Sequence, residues 1–191
     1  MRDGEDVAVA APTIESERLV LRAHRLDDFP DYAAMYADAR FVRFLDEGAP
    51  LSEERAWPKF LRFPGGWRFQ GFGLWAIEER ASRHFIGNVG FSTHRRAAAP
   101  LLDDIPEIGW SLAPLAQGKG YAVEAAQRAL AWIDSRGRWG RTACVIEDGN
   151  ERSVRVAERC GFRQALFMMH CNRHMRVFFR EAISDLDTRL V

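Results

Sequence analysis

The chain has 191 residues, 27 basic and 27 acidic, and 47% of it is hydrophobic, including 13 Phe and 6 Trp. That length suits one domain with a sizeable core. A formal net charge of zero argues against a protein that coats nucleic acid or an anionic membrane, since both favour a basic surface.

Residues 1–13 read as a flexible tail and 14–191 as a single domain, because no Pro/Gly/Ser-rich linker divides the chain. Leu19, Val20 and Leu21 in ERLVLRAH (17–24) make a first strand. A helix follows with Asp27 or Asp28 as N-cap and Pro30 tolerated in its first turn; Phe29, Ala33, Tyr36 and Arg40 keep helical spacing. Ser52 caps a second short helix that Pro58 bends or limits. Trp57, Phe60, Phe63, Trp67, Phe69 and Phe72 crowd around a PGG turn, where they pack in the core or line an acceptor cleft. Apolar runs at Leu74–Ile77 and Phe85–Phe91 form a hairpin around a charged turn near 80–83. RRAAAP (95–100) reads as a loop. PEIGWSLAP (106–114) is a strand whose small residues Gly109 and Ser111 suggest a bulge. A helix over about 121–136 turns Ala122, Ala126, Ala129, Leu130 and Ile133 inward and Glu124, Gln127, Arg128 and Asp134 outward, and Gly137 and Gly140 end it. Then come a strand over 142–147, a helix capped by Asn150 and closed by Gly161, and a final strand pair, 164–172 and 174–181. The order implies an α+β fold: a mixed, mostly antiparallel sheet with a parallel βαβ element late.

Cys144, Cys160 and Cys171 lie far apart, without zinc-ligand spacing, and are expected as free thiols; no metal is expected. The five histidines form no metal-binding array. Nothing approaches the roughly 20 apolar residues that cross a bilayer, and the N-terminal apolar run is too short for a signal peptide, so a cytoplasmic protein with no membrane partner is expected.

The chemistry concentrates in LAPLAQGKGYAVEAAQRALAW (112–132), where Gln-Gly-Lys-Gly opens a helix. A P-loop needs Ser or Thr after Gly-Lys, and here Gly120 follows Gly118-Lys119. The dinucleotide fingerprint needs a glycine where Val123 stands. The physics of both motifs still applies. Glycines let backbone approach a ligand closely, and a helix N-terminus presents unpaired N–H groups to an anion. A tight strand-to-helix turn would use the same residues, and spacing alone does not separate the two.

Gln117-Gly118-Lys119-Gly120-Tyr121-Ala122 resembles the Gln/Arg-x-x-Gly-x-Gly/Ala motif of the GCN5-related N-acetyltransferase (GNAT) superfamily. Asn150-x-x-Ser153 with Gly161-Phe162, and the opening Glu17-Arg18-Leu19-Val20-Leu21-Arg22, resemble its ribosomal-protein-alanine acetyltransferase branch, the RimJ/RimL type. The likeness covers roughly residues 14–180. It implies a central sheet flanked by helices, with a V-shaped splay between two central strands. It implies acetyl-CoA as co-substrate, its pyrophosphate held by the backbone of Gln117, Gly118, Lys119, Gly120, Tyr121 and Ala122. The pantetheine arm would pair with the strand at Ser111 and Leu112, and Asn150 would touch the cofactor from the opposite side.

Acetyl transfer needs a neutral amine, a proton acceptor, and a donor at the thioester carbonyl, which a backbone N–H near Ser111–Leu112 could supply. An α-amino group, with pKa about 8, is already partly neutral at pH 7, whereas a lysine is not. Glu107 is the expected base, directly or through water, and Ser153 offers a hydroxyl to the leaving thiolate. Where many relatives carry a tyrosine, this chain has Ala157, which removes the commoner acid. The expected acceptor is a primary amine such as a protein N-terminus, with a polyamine or aminoglycoside as the alternative and a non-catalytic acyl-CoA sensor as the rival from another class. No nucleic-acid partner is expected, and a homodimer is admitted.

Overall fold

The structure, a computed structural model, describes residues 10–45, 48–97 and 99–182. Among these residues eight strands, β1 (Ile14–Glu15), β2 (Leu19–Arg22), β3 (Leu74–Glu79), β4 (Phe85–Ser92), β5 (Glu107–Leu112), β6 (Arg141–Glu147), β7 (Arg163–His170) and β8 (Arg173–Glu181), form one sheet. Its order is β1-β2-β3-β4-β5-β6-β8-β7. Every pairing is antiparallel except β5 with β6, which are joined through a helix as a parallel crossover requires.

Among the described residues, six α-helices cover the sheet: α1 (Phe29–Ala37), α2 (Ala39–Val42), α3 (Glu53–Phe60), α4 (Phe63–Gln70), α5 (Tyr121–Asp134) and α6 (Glu151–Arg159). The inner face of α5 packs Ala125, Ala126, Ala129, Leu130 and Ile133 into the main core with Trp75, Ile77, Val89 and Phe91 of the central strands. On the opposite face Tyr32, Met35 and Phe60 of α1 and α3 form a second core with Ala76 and Phe85. β3 and β4 are therefore covered on both sides, which is why both are buried along nearly their whole length.

The opening between β5 and β6 positions the site. β4 and β5 stay in register over six residue pairs, from Gly87↔Leu112 to Ser92↔Glu107. β5 and β6 pair only at Glu107↔Ala143 and then diverge. The expected bulge at Gly109 and Ser111 is not formed. The strand bends away from β6 with its register to β4 intact, so the V comes from divergence and not from an inserted residue.

Other expectations are also corrected. The PGG segment is no turn but the first half of α4. Pro64 suits a helix start, and Trp67 locks the helix by lying edge-on to Trp75 and Trp132 and donating from its indole N–H to the Leu74 carbonyl at 3.1 Å. Tertiary packing here outweighs the poor helix propensity of Gly65 and Gly66. Asp28 precedes α1 without capping it by its side chain. Its carboxylate instead takes two bonds from Arg22, at 2.7 and 2.8 Å. The helix expected to run on through Arg40 stops at Ala37, and Asp38 caps the next turn by accepting from the Arg40 N–H at 2.8 Å. Asp134 does not face solvent, because Arg180 of β8 grips its carboxylate at 2.6 Å. Of the expected tail, residues 1–9 lie outside the described residues; the Pro12 carbonyl accepts from the Trp75 indole at 2.7 Å. Cys144, Cys160 and Cys171 are free thiols.

Candidate active site

The V opens toward the first turns of α5 and α6, and a cleft of about 1080 Å³ occupies it. Gly118 and Gly120 take left-handed φ of 79° and 84°, a backbone that L side chains rarely adopt. No side chain caps α5, and its ladder begins only with the Glu124 N–H donating to the Gly120 carbonyl. The N–H groups of Tyr121, Ala122 and Val123 thus lack helical partners, and all three residues line the cleft. An ideal Cβ on Gly118 would meet no atom within 4 Å, so the space before it is open. Partial positive charge at the mouth of a 14-residue helix is the electrostatics that suits an anion.

Gln117 ties the two sides of the V together. Its Nε2 donates to the Leu112 carbonyl at 3.0 Å, and its Oε1 accepts from Arg152 on α6 at 3.2 Å. Across the cleft the Asn150 Oδ1 accepts from the Ser153 N–H at 3.2 Å, which fixes the start of α6 and leaves the Asn150 amide nitrogen out of that bond. Asn150 and Ser153 both line the cleft. Lys119 is not among the lining residues; its ammonium lies 5.9 Å from the Tyr121 ring and its carbonyl serves Arg18.

Strand alternation decides which amides face the opening. The Ala113 N–H donates to Ile86 of β4, while the Pro106 carbonyl accepts from Ala143 of β6. The N–H groups of Trp110 and Leu112 therefore point toward β6, into the gap where pairing has ceased. Glu107 stands at the closed end of the V. Its two oxygens are bound by both terminal nitrogens of Arg96, one at 3.0 Å, and the His94 Nε2 lies 3.8 Å away. At about 3.3 Å per residue, Glu107 is roughly 13 Å along the strand from Ser111.

The match to known proteins follows this geometry. The family described as "Acetyltransferase (GNAT) domain" matches residues 18–163, which contain both helix mouths and both diverging strands. The chain belongs to the GNAT acetyltransferase family. A Bordetella pertussis protein assigned to the same family is 30% identical, with a TM-score of 0.76 over 89% of this chain and 99% of that one. The Bacillus subtilis protein YkkB is 30% identical over 112 residues, which span 59% of this chain and 63% of that relative, less than two thirds of its length. RimL, a ribosomal L7/L12 alpha-N-protein acetyltransferase solved with coenzyme A, is 19% identical and shares the fold, with a TM-score of 0.71 over 89% of this chain and 98% of RimL.

This GNAT domain also uses residues that sequence reading did not single out for the site. Arg18 donates to the Lys119 carbonyl at 3.0 Å and stacks 4.7 Å from the centre of the Tyr121 ring, pinning the glycine turn from outside. Glu124, expected to face solvent, accepts from the Arg18 N–H at 2.9 Å and the Ser16 hydroxyl at 2.7 Å. Burial alone would raise its carboxyl; those bonds hold it below its ordinary value. The Tyr121 hydroxyl donates to Glu79 at 2.6 Å. Only the Arg18 motif in the first strand hinted at this brace. Among the described residues, no group of three or more His, Cys, Asp or Glu side chains could hold a metal ion, and no helix is long and apolar enough to cross a membrane.

Proposed function

We propose that the protein transfers the acetyl group of acetyl-CoA to the α-amino group of a protein N-terminus, in a ternary complex. The observation that carries this is the uncapped mouth of α5, whose bare N–H groups and two left-handed glycines face the cleft. They would hold the pyrophosphate, with Asn150 and the arginines of α6 beside it. The pantetheine arm would enter the V and find the N–H groups of Trp110 and Leu112, and one of these would polarise the thioester carbonyl.

In the reaction the amine nitrogen bonds to the acetyl carbon, the C–S bond breaks, the coenzyme A thiolate leaves, and the amine loses one proton. An α-amine at neutral pH is partly deprotonated already, so the demand on a base is modest. Glu107 is too far along β5 to touch an amine beside Leu112, so its part as base runs through water. Ser153 would stand near the leaving thiolate. Ala157 is wholly buried and supplies no acid.

Charge favours a peptide over a polyamine or aminoglycoside. Among the described residues lining the cleft, Arg40, Arg43, Arg152, Arg155 and Arg159 are basic and only Glu151 is acidic. Glu151 is already paired with Arg176 at 2.9 Å. A polycationic acceptor would thus find no unpaired carboxylate there.

The test is thiol release from acetyl-CoA with alanine-led and serine-led peptides, spermidine and an aminoglycoside, beside calorimetry with coenzyme A. Acetylation of a peptide α-amine supports the proposal, and turnover restricted to spermidine or the aminoglycoside refutes it. Tight binding without turnover on any amine would favour an acyl-CoA sensor.

A further inference from the structure

One face of β4 and β5 carries polar side chains and glycines where the middle of a covered sheet should be apolar; it is buried along β4 and open only along β5. Register places Asn88 opposite Ser111, Gly90 opposite Gly109 and Ser92 opposite Glu107, all on the α1 and α3 side. Gly109 is exposed although it sits in a central strand, and a Cβ there would meet nothing within 4 Å. On this floor a line of hydrogen bonds runs from the second core to the cleft. The His24 Nε2 lies 2.7 Å from Asn88 Oδ1, and Asn88 Nδ2 lies 3.3 Å from Ser111 Oγ. Asn88 is 2% exposed. His24 is held flat against Phe63, with ring centres 3.9 Å apart and planes 6° apart, and meets Phe60 edge-on.

The direction of these bonds has a chemical consequence. An amide oxygen only accepts, so His24 carries its proton on Nε2. The Asn88 nitrogen must then donate, so the Ser111 oxygen accepts. One lone pair of Ser111 is thereby occupied and its own hydrogen is free. Burial holds His24 neutral at physiological pH, partly offset by its bond to Asn88, and its pKa falls to about 4. Ser111 lines the cleft beside Leu112.

We propose that Asn88, oriented by His24, is a positioning residue that turns the Ser111 hydroxyl hydrogen into the cleft, toward the oxygen of the bound thioester. Ser111 then donates to the carbonyl oxygen as negative charge develops on it, alongside a backbone N–H, and no bond to Ser111 forms or breaks. This inference rests on the acetyl-transfer reading of the same cleft.

The test uses the full-length protein, acetyl-CoA and an alanine-led peptide. Ser111→Ala and Asn88→Ala are each expected to lower kcat roughly tenfold or more, with coenzyme A affinity unchanged. The double variant is expected to be no slower than either single one, because both remove one device. Ser111→Thr, which keeps the hydroxyl, retains activity. Asn88→Asp keeps the bond to His24 but makes the Ser111 side an acceptor. It is expected to be slow at neutral pH and, relative to the wild type, to recover as its carboxyl is protonated; His24 faces it, and Asp28 and Arg22 act on that ring from behind. Nitrogen-15 spectra of histidine-labelled protein read His24 without turnover and are expected to show the Nε2–H tautomer. An Nδ1–H tautomer would reverse every bond in the line and overturn the proposal, as would losses that multiply in the double variant. A wild type that binds coenzyme A but acetylates no amine would strike the acetyl-transfer reading instead, and the tautomer would still decide the direction of the bonds.

Discussion

His24 ties stability to pH in a way that can be worked out from its surroundings. Its imidazole is packed against Phe60 and Phe63, and burial lowers its pKa from 6.5 to about 4. Above pH 6.5 the ring is neutral in both folded and unfolded chains and contributes nothing to the pH dependence. As pH falls below 6.5 the unfolded chain takes up a proton that the folded chain refuses, so stability declines until the folded ring itself titrates near 4. At 1.36 kcal/mol per pH unit, that interval sets a ceiling of roughly 3 kcal/mol. For a domain of this size, that corresponds to a Tm change of roughly 6–12 °C. Carboxylates also titrate in acid, so the measurement is a difference. Urea unfolding of the wild type and of His24→Gln, whose amide can still donate to Asn88, is followed from pH 7.5 to 4.5. The wild type is expected to lose stability relative to the variant as pH falls through this window. A difference between the two that stays constant with pH would refute the reasoning.

Gly118→Ala and Gly120→Ala each force a side chain into a left-handed backbone at a cost of about 1–2 kcal/mol, and each puts a methyl group before the anion site. Calorimetry with coenzyme A is expected to show at least a tenfold loss of affinity, while Gly137→Ala, also left-handed at 60° but at the far end of α5, loses stability alone. Gln117→Ala removes the link between the Leu112 carbonyl and Arg152, so coenzyme A affinity is expected to fall several-fold, with unfolding free energy changed by no more than about 1 kcal/mol. Arg22→Met removes the buried cation between Asp28 and Glu78, leaving Glu78 only the more exposed Arg83 at 2.9 Å and Arg25 at 3.8 Å, and urea unfolding at pH 7 is expected to show a loss of about 3–5 kcal/mol. Arg22 now helps hold the Asp28 carboxyl below its ordinary value against the effect of burial. Without it Asp28 takes up a proton more readily, so the deficit should shrink as the same measurement is taken toward pH 4.

The parts of the fold that were legible in the sequence are those written in local signals. Gly-x-Gly before an alanine-rich helix marked the mouth of α5, and Asn150 with Gly161 marked both ends of α6. The parts that were not legible depend on partners far along the chain. Periodicity put Glu124 and Asp134 outward because it sees only one helix; Arg18, just before β2, and Arg180 of β8 meet them from 106 and 46 positions away. The PGG segment looked like a turn because its glycines are visible locally, whereas the tryptophan stack that holds it helical comes from β3 and α5. The pairing of His24 with Asn88 spans 64 positions, and no spacing rule announces it.

Unpaired strand edges normally lie at the perimeter of a sheet, where they invite foreign strands and must be blunted. Here divergence after a single pair creates two such edges facing one another inside the sheet. On the acetyl-transfer reading a slender, amide-bearing chain would enter between them, and bonds to that visitor would replace the internal ones that the break costs the domain.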